Sequence, residues 1–135
     1  PEFLYVRNFK PDRWPMGDPK AAAGDAKLDF EVLSNDTRVA FADIDASPTK
    51  AWLVQHRNEE GLELILREAW EKRPAEELYD LRKDPHQVHN VADDPAHTAM
   101  LEKLRGKLMA ELKGGADPRL DDSFDRPPYL EKTRQ

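Results

Sequence analysis

The chain has 135 residues, of which 39% are hydrophobic and 36% charged, with a formal net charge of −6. That length suits one domain with a modest core, and the acidic balance argues against nucleic acid or an anionic membrane as a main partner. Cysteine is absent, which excludes disulfides and thiolate metal sites, and no apolar run approaches the roughly 20 residues of a membrane-spanning helix.

Residues 3–8, Phe3-Leu4-Tyr5-Val6-Arg7-Asn8, are rich in aromatic and branched side chains and predict a strand. Residues 9–27 hold Pro11, Pro15, Pro19, Gly17 and Gly24 and predict a long loop. Its simpler reading is a surface excursion; its functional reading has Arg13 and Trp14 edging a substrate cleft. Residues 28–44 leave helix and strand open, since Phe30, Val32 and Leu33 fit either, as do Arg38, Val39, Ala40 and Phe41. Ser47 followed by Pro48 predicts a capped helix start. His56-Arg57 suits its end, where the helix dipole favours positive charge. Asn58 is predicted to cap a second helix opening at Glu59-Glu60. Leu62, Ile65, Leu66, Ala69 and Trp70 form its apolar face, and Pro74 ends it.

Residues 73–95, R-P-A-E-E-L-Y-D-L-R-K-D-P-H-Q-V-H-N-V-A-D-D-P, organise the rest. Residues 77–81 predict a second strand and the natural partner of residues 3–8. Leu78 and Asp80 share one face; Glu77, Tyr79 and Leu81 share the other. Pro85 stops the strand. Asp94-Pro95 opens a helix over residues 95–113, with Leu101, Leu104, Leu108 and Leu112 as its apolar stripe and Gly114-Gly115 at its end. This helix is expected to lie across one face of the sheet. Residues 121–135 are read as a polar tail, either pinned to a partner surface by Phe124 and Tyr129 or disordered.

Few residues suggest chemistry of their own. His86 and His89 lie near Asp84, but no third ligand is spaced convincingly, so they are read as surface or loop-packing histidines. Asp43 and Asp45 resemble part of a calcium loop without its glycine or distal glutamate, and are read as favouring the following helix start. No nucleophile elbow and no phosphate-binding glycine loop occurs. No catalytic and no metal-binding residue is predicted.

Three stretches carry a resemblance. E-L-Y-D-L-x-x-D-P-x-x-x-x-N-x-A from Glu77 to Ala92 resembles the closing motif of the sulfatase family, and R-P-A-E-E-L-Y-D-L-R-K-D-P fits its branch around N-sulfoglucosamine sulfohydrolase, the heparan N-sulfatase. Tyr5-Val6-Arg7-Asn8-Phe9 is similar to a strand of those enzymes, and Ala42 to Lys50 is similar to their D-I-D-x-S-P-T-K segment. The resemblance spans residues 1–120 and implies the C-terminal α+β subdomain: a small antiparallel sheet of about four strands packed against the long C-terminal helix. The parent would hydrolyse sulfate esters or N-sulfates, on a sulfated sugar. Sulfatases are implied to use formylglycine made from C/S-x-P-x-R and a calcium ion, both in a catalytic domain that this sequence lacks. The abrupt opening at Pro1-Glu2 accordingly reads as a fragment boundary, with any targeting signal upstream, and a secreted or periplasmic location follows only from the resemblance. The expected partners are the parent's catalytic domain and through it a sulfated carbohydrate; because Phe9, Trp14, Phe30, Phe41, Phe124 and Tyr129 lie outside the predicted elements, the isolated chain is expected either to pair with a second copy, the slightly favoured outcome, or to cover that apolar surface with a mobile loop and tail. Sulfated ligands are anionic, so Arg7, Lys10 and Arg13 are the candidate substrate contacts, set against their simpler reading as surface cations. The alternative from a different class is a free-standing interaction module.

Overall fold

The computed structural model describes residues 1–24 and 27–129, so Asp25 and Ala26 of the long loop and the end of the tail lie outside the described residues. The chain divides into two compact units, one formed by Pro1–Phe9 with the chain from Glu76 onward, the other by Lys10–Ala75.

In the first unit, β1 (Phe3–Arg7) pairs antiparallel with β2 (Glu76–Asp80), Tyr5 opposite Leu78 and Arg7 opposite Glu76. The expected pairing of these two segments is therefore present. Directly opposed residues share a face, so Phe3, Tyr5, Arg7, Glu76, Leu78 and Asp80 line one side. The long helix, labelled α4 (Thr98–Gly114), lays Leu101 and Leu104 on that side, where Leu78 is fully buried with Ala92 and Val91 beside it. Asp94 caps a short 3₁₀ turn at Pro95–His97 by accepting the Ala96 N–H, and the α-helix follows at Thr98.

The sheet is smaller than the resemblance implies: the described residues hold two strands, not about four. The ambiguous stretch supplies none, because its aspartates cap helical turns. Asp29 accepts the Val32 N–H and starts α1 (Phe30–Asn35); Asp36 accepts the Arg38 N–H and starts a 3₁₀ turn at Thr37–Val39. Those bonds use the backbone groups that a strand ladder would need.

The second unit packs α1, α2 (Pro48–Gln55) and α3 (Glu63–Trp70) around Leu33, Ala40, Phe41, Ala51, Val54, Leu66 and Trp70. Ser47 caps α2 through the Lys50 N–H, as its sequence predicts. Helix α3 starts at Glu63, later than Asn58-Glu59 suggested. Gly61 sits at φ +89°, a conformation that interrupts a helix, and turns at Glu59 and Leu62 fill the gap. Phe41, expected among the exposed aromatics, is instead buried at 7% exposure.

Buried Lys50 ties this unit together. Its Nζ donates to the carbonyls of Thr37 at 3.1 Å, Phe41 at 3.1 Å and Ile44 at 2.8 Å. All three ammonium protons are used, and burial pushes its pKa down against the pull of Asp45 and Asp36.

Candidate functional site

The motif stretch explains itself once folded. Beyond β2 the chain turns back, and the Asn90 side chain takes the place of a third strand. Its Oδ1 accepts the N–H of Leu78 at 2.9 Å and of Ala92 at 3.0 Å, while its Nδ2 donates to the Glu76 carbonyl at 3.2 Å. The Val91 N–H then donates to the Leu78 carbonyl. Asp84 holds the intervening loop by accepting the His89 N–H at 2.8 Å, which keeps its carboxyl below the usual range. His89 is an exposed side chain of that loop. Among the described residues no group of three or more histidine, cysteine, aspartate or glutamate side chains is placed to hold a metal ion.

On the face of β1 and β2 that meets α4, four side chains converge. Arg105 of α4 grips Glu76 with Nε and Nη2, each at 2.6 Å. Tyr5 donates its hydroxyl to the same carboxylate at 2.5 Å, and Arg7 lies 3.6 Å from it. Glu76 is held down to about 2, first by the Arg105 hydrogen bonds and then by Tyr5 and the charges of Arg105 and Arg7, against a smaller opposing effect of burial. Burial and the neighbouring carboxylate push the Tyr5 hydroxyl up. The Arg7 guanidinium also stands 5.8 Å from the centre of the Phe9 ring, and Arg119 stands at the same distance from that ring. Arg119 is itself clamped by Asp117 at 2.8 and 2.6 Å. Glu77, on the opposite face, accepts from Asn8 at 2.7 Å and from the Tyr79 hydroxyl.

Of the three candidate contacts, Arg7 therefore belongs to this cluster. Lys10 and Arg13 belong to the second unit, where the Arg13 N–H donates to the Lys10 carbonyl in a turn and the Arg13 side chain is exposed. Trp14 follows that turn. It meets Phe41 edge-on, Phe41 tilts onto Trp70 at 4.8 Å, and Lys72 stands 5.4 Å from the Trp14 ring. These rings, with Arg57, Asn58 and Glu71, line a cleft of about 260 Å³. The loop's functional reading, set against a plain surface excursion, puts Arg13 and Trp14 at the edge of a substrate cleft; Trp14 lines the cleft described here and Arg13 does not, and the sequence reading did not find Arg57, whose Nη1 donates to the Val54 carbonyl at 2.7 Å. Nor did it find Arg105, although that residue lies four places after Leu101 and so on the buried side of α4.

Comparison with known proteins gives one bearing. The chain is 39% identical over 49 residues to an ulvan-active sulfatase from Formosa agariphila, a match that covers 36% of this chain and 10% of that protein. This supports a relationship to sulfatases at the level of the family. No family model matches the chain, and no solved structure matches it.

Proposed function

We propose that this chain is the C-terminal, non-catalytic part of a sulfatase. The observation that carries the reading is the 39% identity to the ulvan-active sulfatase. The motif residues lend it physical sense: Tyr5 and Arg7 pair across β1 and β2 with Leu78 and Glu76, and Asn90 closes the edge beyond. The whole enzyme would hydrolyse sulfate esters or N-sulfates of a sulfated sugar. Kinship with the N-sulfoglucosamine sulfohydrolase branch is the finer form of the reading and rests on the motifs at residues 5–9, 42–50 and 73–85.

In this reading the chain packs against the catalytic domain and shapes the rim of its cleft. Formylglycine and calcium belong to that other domain, and the described residues offer no ligand set for the ion, so no chemical step is assigned here. Arg7, Lys10 and Arg13 are the cations we assign to the sulfated ligand, with Arg7 partly committed to Glu76.

The purified chain is expected not to hydrolyse a chromogenic aryl sulfate, with or without calcium. Turnover that a point substitution within these 135 residues abolishes would overturn the assignment. The reading frame upstream of Pro1 is expected to contain C/S-x-P-x-R; a frame without it favours the free-standing module. In the intact enzyme, R13E and K10E are expected to raise KM several-fold for a sulfated oligosaccharide, ulvan oligosaccharides being the first to assay, and to leave kcat nearly unchanged.

A further inference from the structure

Two indole groups of the second unit lack what a buried indole ordinarily has. Trp70 is buried, at 7% exposure, yet its ring N–H has no hydrogen-bond partner among the described residues, and the ring N–H of half-buried Trp14 has none either. Buried indoles usually donate to an acceptor. Ser34 Oγ is the one sealed side-chain oxygen or nitrogen without a partner among the described residues, so the Trp70 N–H is open to solvent, and the cleft that its ring lines is the route. Glu71 lines the same cleft, and its carboxylate makes no hydrogen bond or ion pair among the described residues. Arg57 is engaged by the carbonyls of Val54 and Gly24. Phe41 and Leu66 add apolar wall. Phe41 sits at φ +45°, a strained conformation held by Lys50 on its carbonyl and by the Asp18 carbonyl on its N–H, so the wall is fixed before any ligand arrives. Every residue of this lining lies between Trp14 and Glu71, inside the second unit, so the walls are independent of what precedes Pro1.

We propose that this cleft is a subsite for one unsulfated sugar ring of the glycan, an inference that rests on the sulfatase reading above. Two open donors and one open acceptor on apolar walls select the occupant. A sugar hydroxyl both accepts and donates, so hydroxyl groups take the N–H groups of Trp14 and Trp70 and give a proton to the Glu71 carboxylate. The C–H edges of the ring meet the aromatic and aliphatic wall. A sulfate group offers acceptors alone and would face the charge of Glu71. A purely apolar guest leaves both indole donors unpaired, and a cation opposes them. The cleft, of about 260 Å³, lies below the roughly 300–1,000 Å³ that takes drug-sized ligands, and has room for one ring rather than a run of them.

Indole signals in the nitrogen–proton NMR spectrum of the chain test this directly. There are three tryptophans, and Trp52, half exposed against His56 on α2, stands outside the cleft as an internal control. The probe is the oligosaccharide of the KM assay above, chemically desulfated. The signals of Trp14 and Trp70 are expected to move as it is added, while that of Trp52 stays. The same oligosaccharide sulfated on every free hydroxyl is expected to bind at least tenfold more weakly, or about 1.4 kcal/mol. W14F keeps the ring and loses the N–H, and is expected to weaken binding roughly fivefold. E71Q, at an exposed position, is expected to weaken the desulfated probe and to narrow the gap to the sulfated one. Unmoved signals at Trp14 and Trp70, a shift at Trp52 instead, equal binding of the two probes, or an E71Q chain that keeps the full gap overturns the proposal. Should W14F unfold, E71Q and the indole shifts decide. In the intact enzyme E71Q is expected to raise KM several-fold more for the oligosaccharide than for aryl sulfate, and an equal effect on both overturns the subsite. An intact protein that leaves aryl sulfate untouched sinks the sulfatase reading instead, and the indole shifts still decide for the cleft.

Discussion

Glu76 concentrates the electrostatics of its unit, and its pKa sets a pH window. Its folded pKa of about 2 lies below the ordinary 4.5, so the stabilisation is present above pH 4.5 and is lost as pH falls towards 2. The shift corresponds to on the order of 2 kcal/mol once the partial exposure of Arg105 is allowed for. Urea unfolding followed from pH 6 to pH 2.5 is expected to show that loss, and E76Q is expected to be less stable at pH 6 and flatter across the range. An equal pH slope in E76Q would show that other carboxylates carry the effect. Lys50 is a residue of another kind, a cation bound by carbonyls. Lys50→Met keeps much of the length but removes the donor to the carbonyls of Thr37, Phe41 and Ile44, of which that of Phe41 keeps the Ile44 N–H. We expect it to cost about 2–4 kcal/mol, read from the urea midpoint of the second unit. A shift below about 0.5 kcal/mol would mean that water replaces the ammonium without penalty.

Among the elements, β2 depends on one side chain outside it. Asn90→Ala removes the groups that accept from Leu78 and Ala92 and donate to Glu76, so exchange at the Leu78 amide is expected to speed up at least tenfold while that at Tyr79, inside the ladder, changes less. Leu101→Ala is expected to cost about 2–3 kcal/mol by opening space above Leu78. What was legible in the sequence follows from how local each signal is. Strand composition at residues 3–8 and 77–81 and the alternation of faces gave the pairing, Ser47-Pro48 gave the start of α2, and the leucine stripe gave α4. The start of α3 was missed because Asn58-Glu59 imitates a cap while Gly61 two residues on breaks the turn. The strand-or-helix question at residues 28–44 was decided by aspartate caps that composition alone does not rank. At the candidate site, Arg7 was visible as a cation in a motif, but its link to Arg105 passes through Glu76 on a strand remote in sequence, and no periodicity reports such a contact.

At the scale of the whole molecule, Lys10–Ala75 is an insertion between two strands that pair. Arg7 stands opposite Glu76, so the chain leaves and re-enters the first unit at neighbouring points. Replacing residues 10–75 by a short glycine-containing turn is therefore expected to leave that unit folded, with dispersed amide signals and the same acid-dependent loss attached to Glu76. Collapsed amide dispersion in the shortened chain would show that the first unit needs the second. The insertion also orders events in time. A ribosome adding about 5–20 residues per second needs roughly 4–15 s to pass from Arg7 to Asp80, and throughout that interval the first strand has neither its ladder nor α4 above it. The earliest part of this chain to be made is among the last to find its place, so the hazard of mispairing falls on the nascent polypeptide far more than on the finished fold.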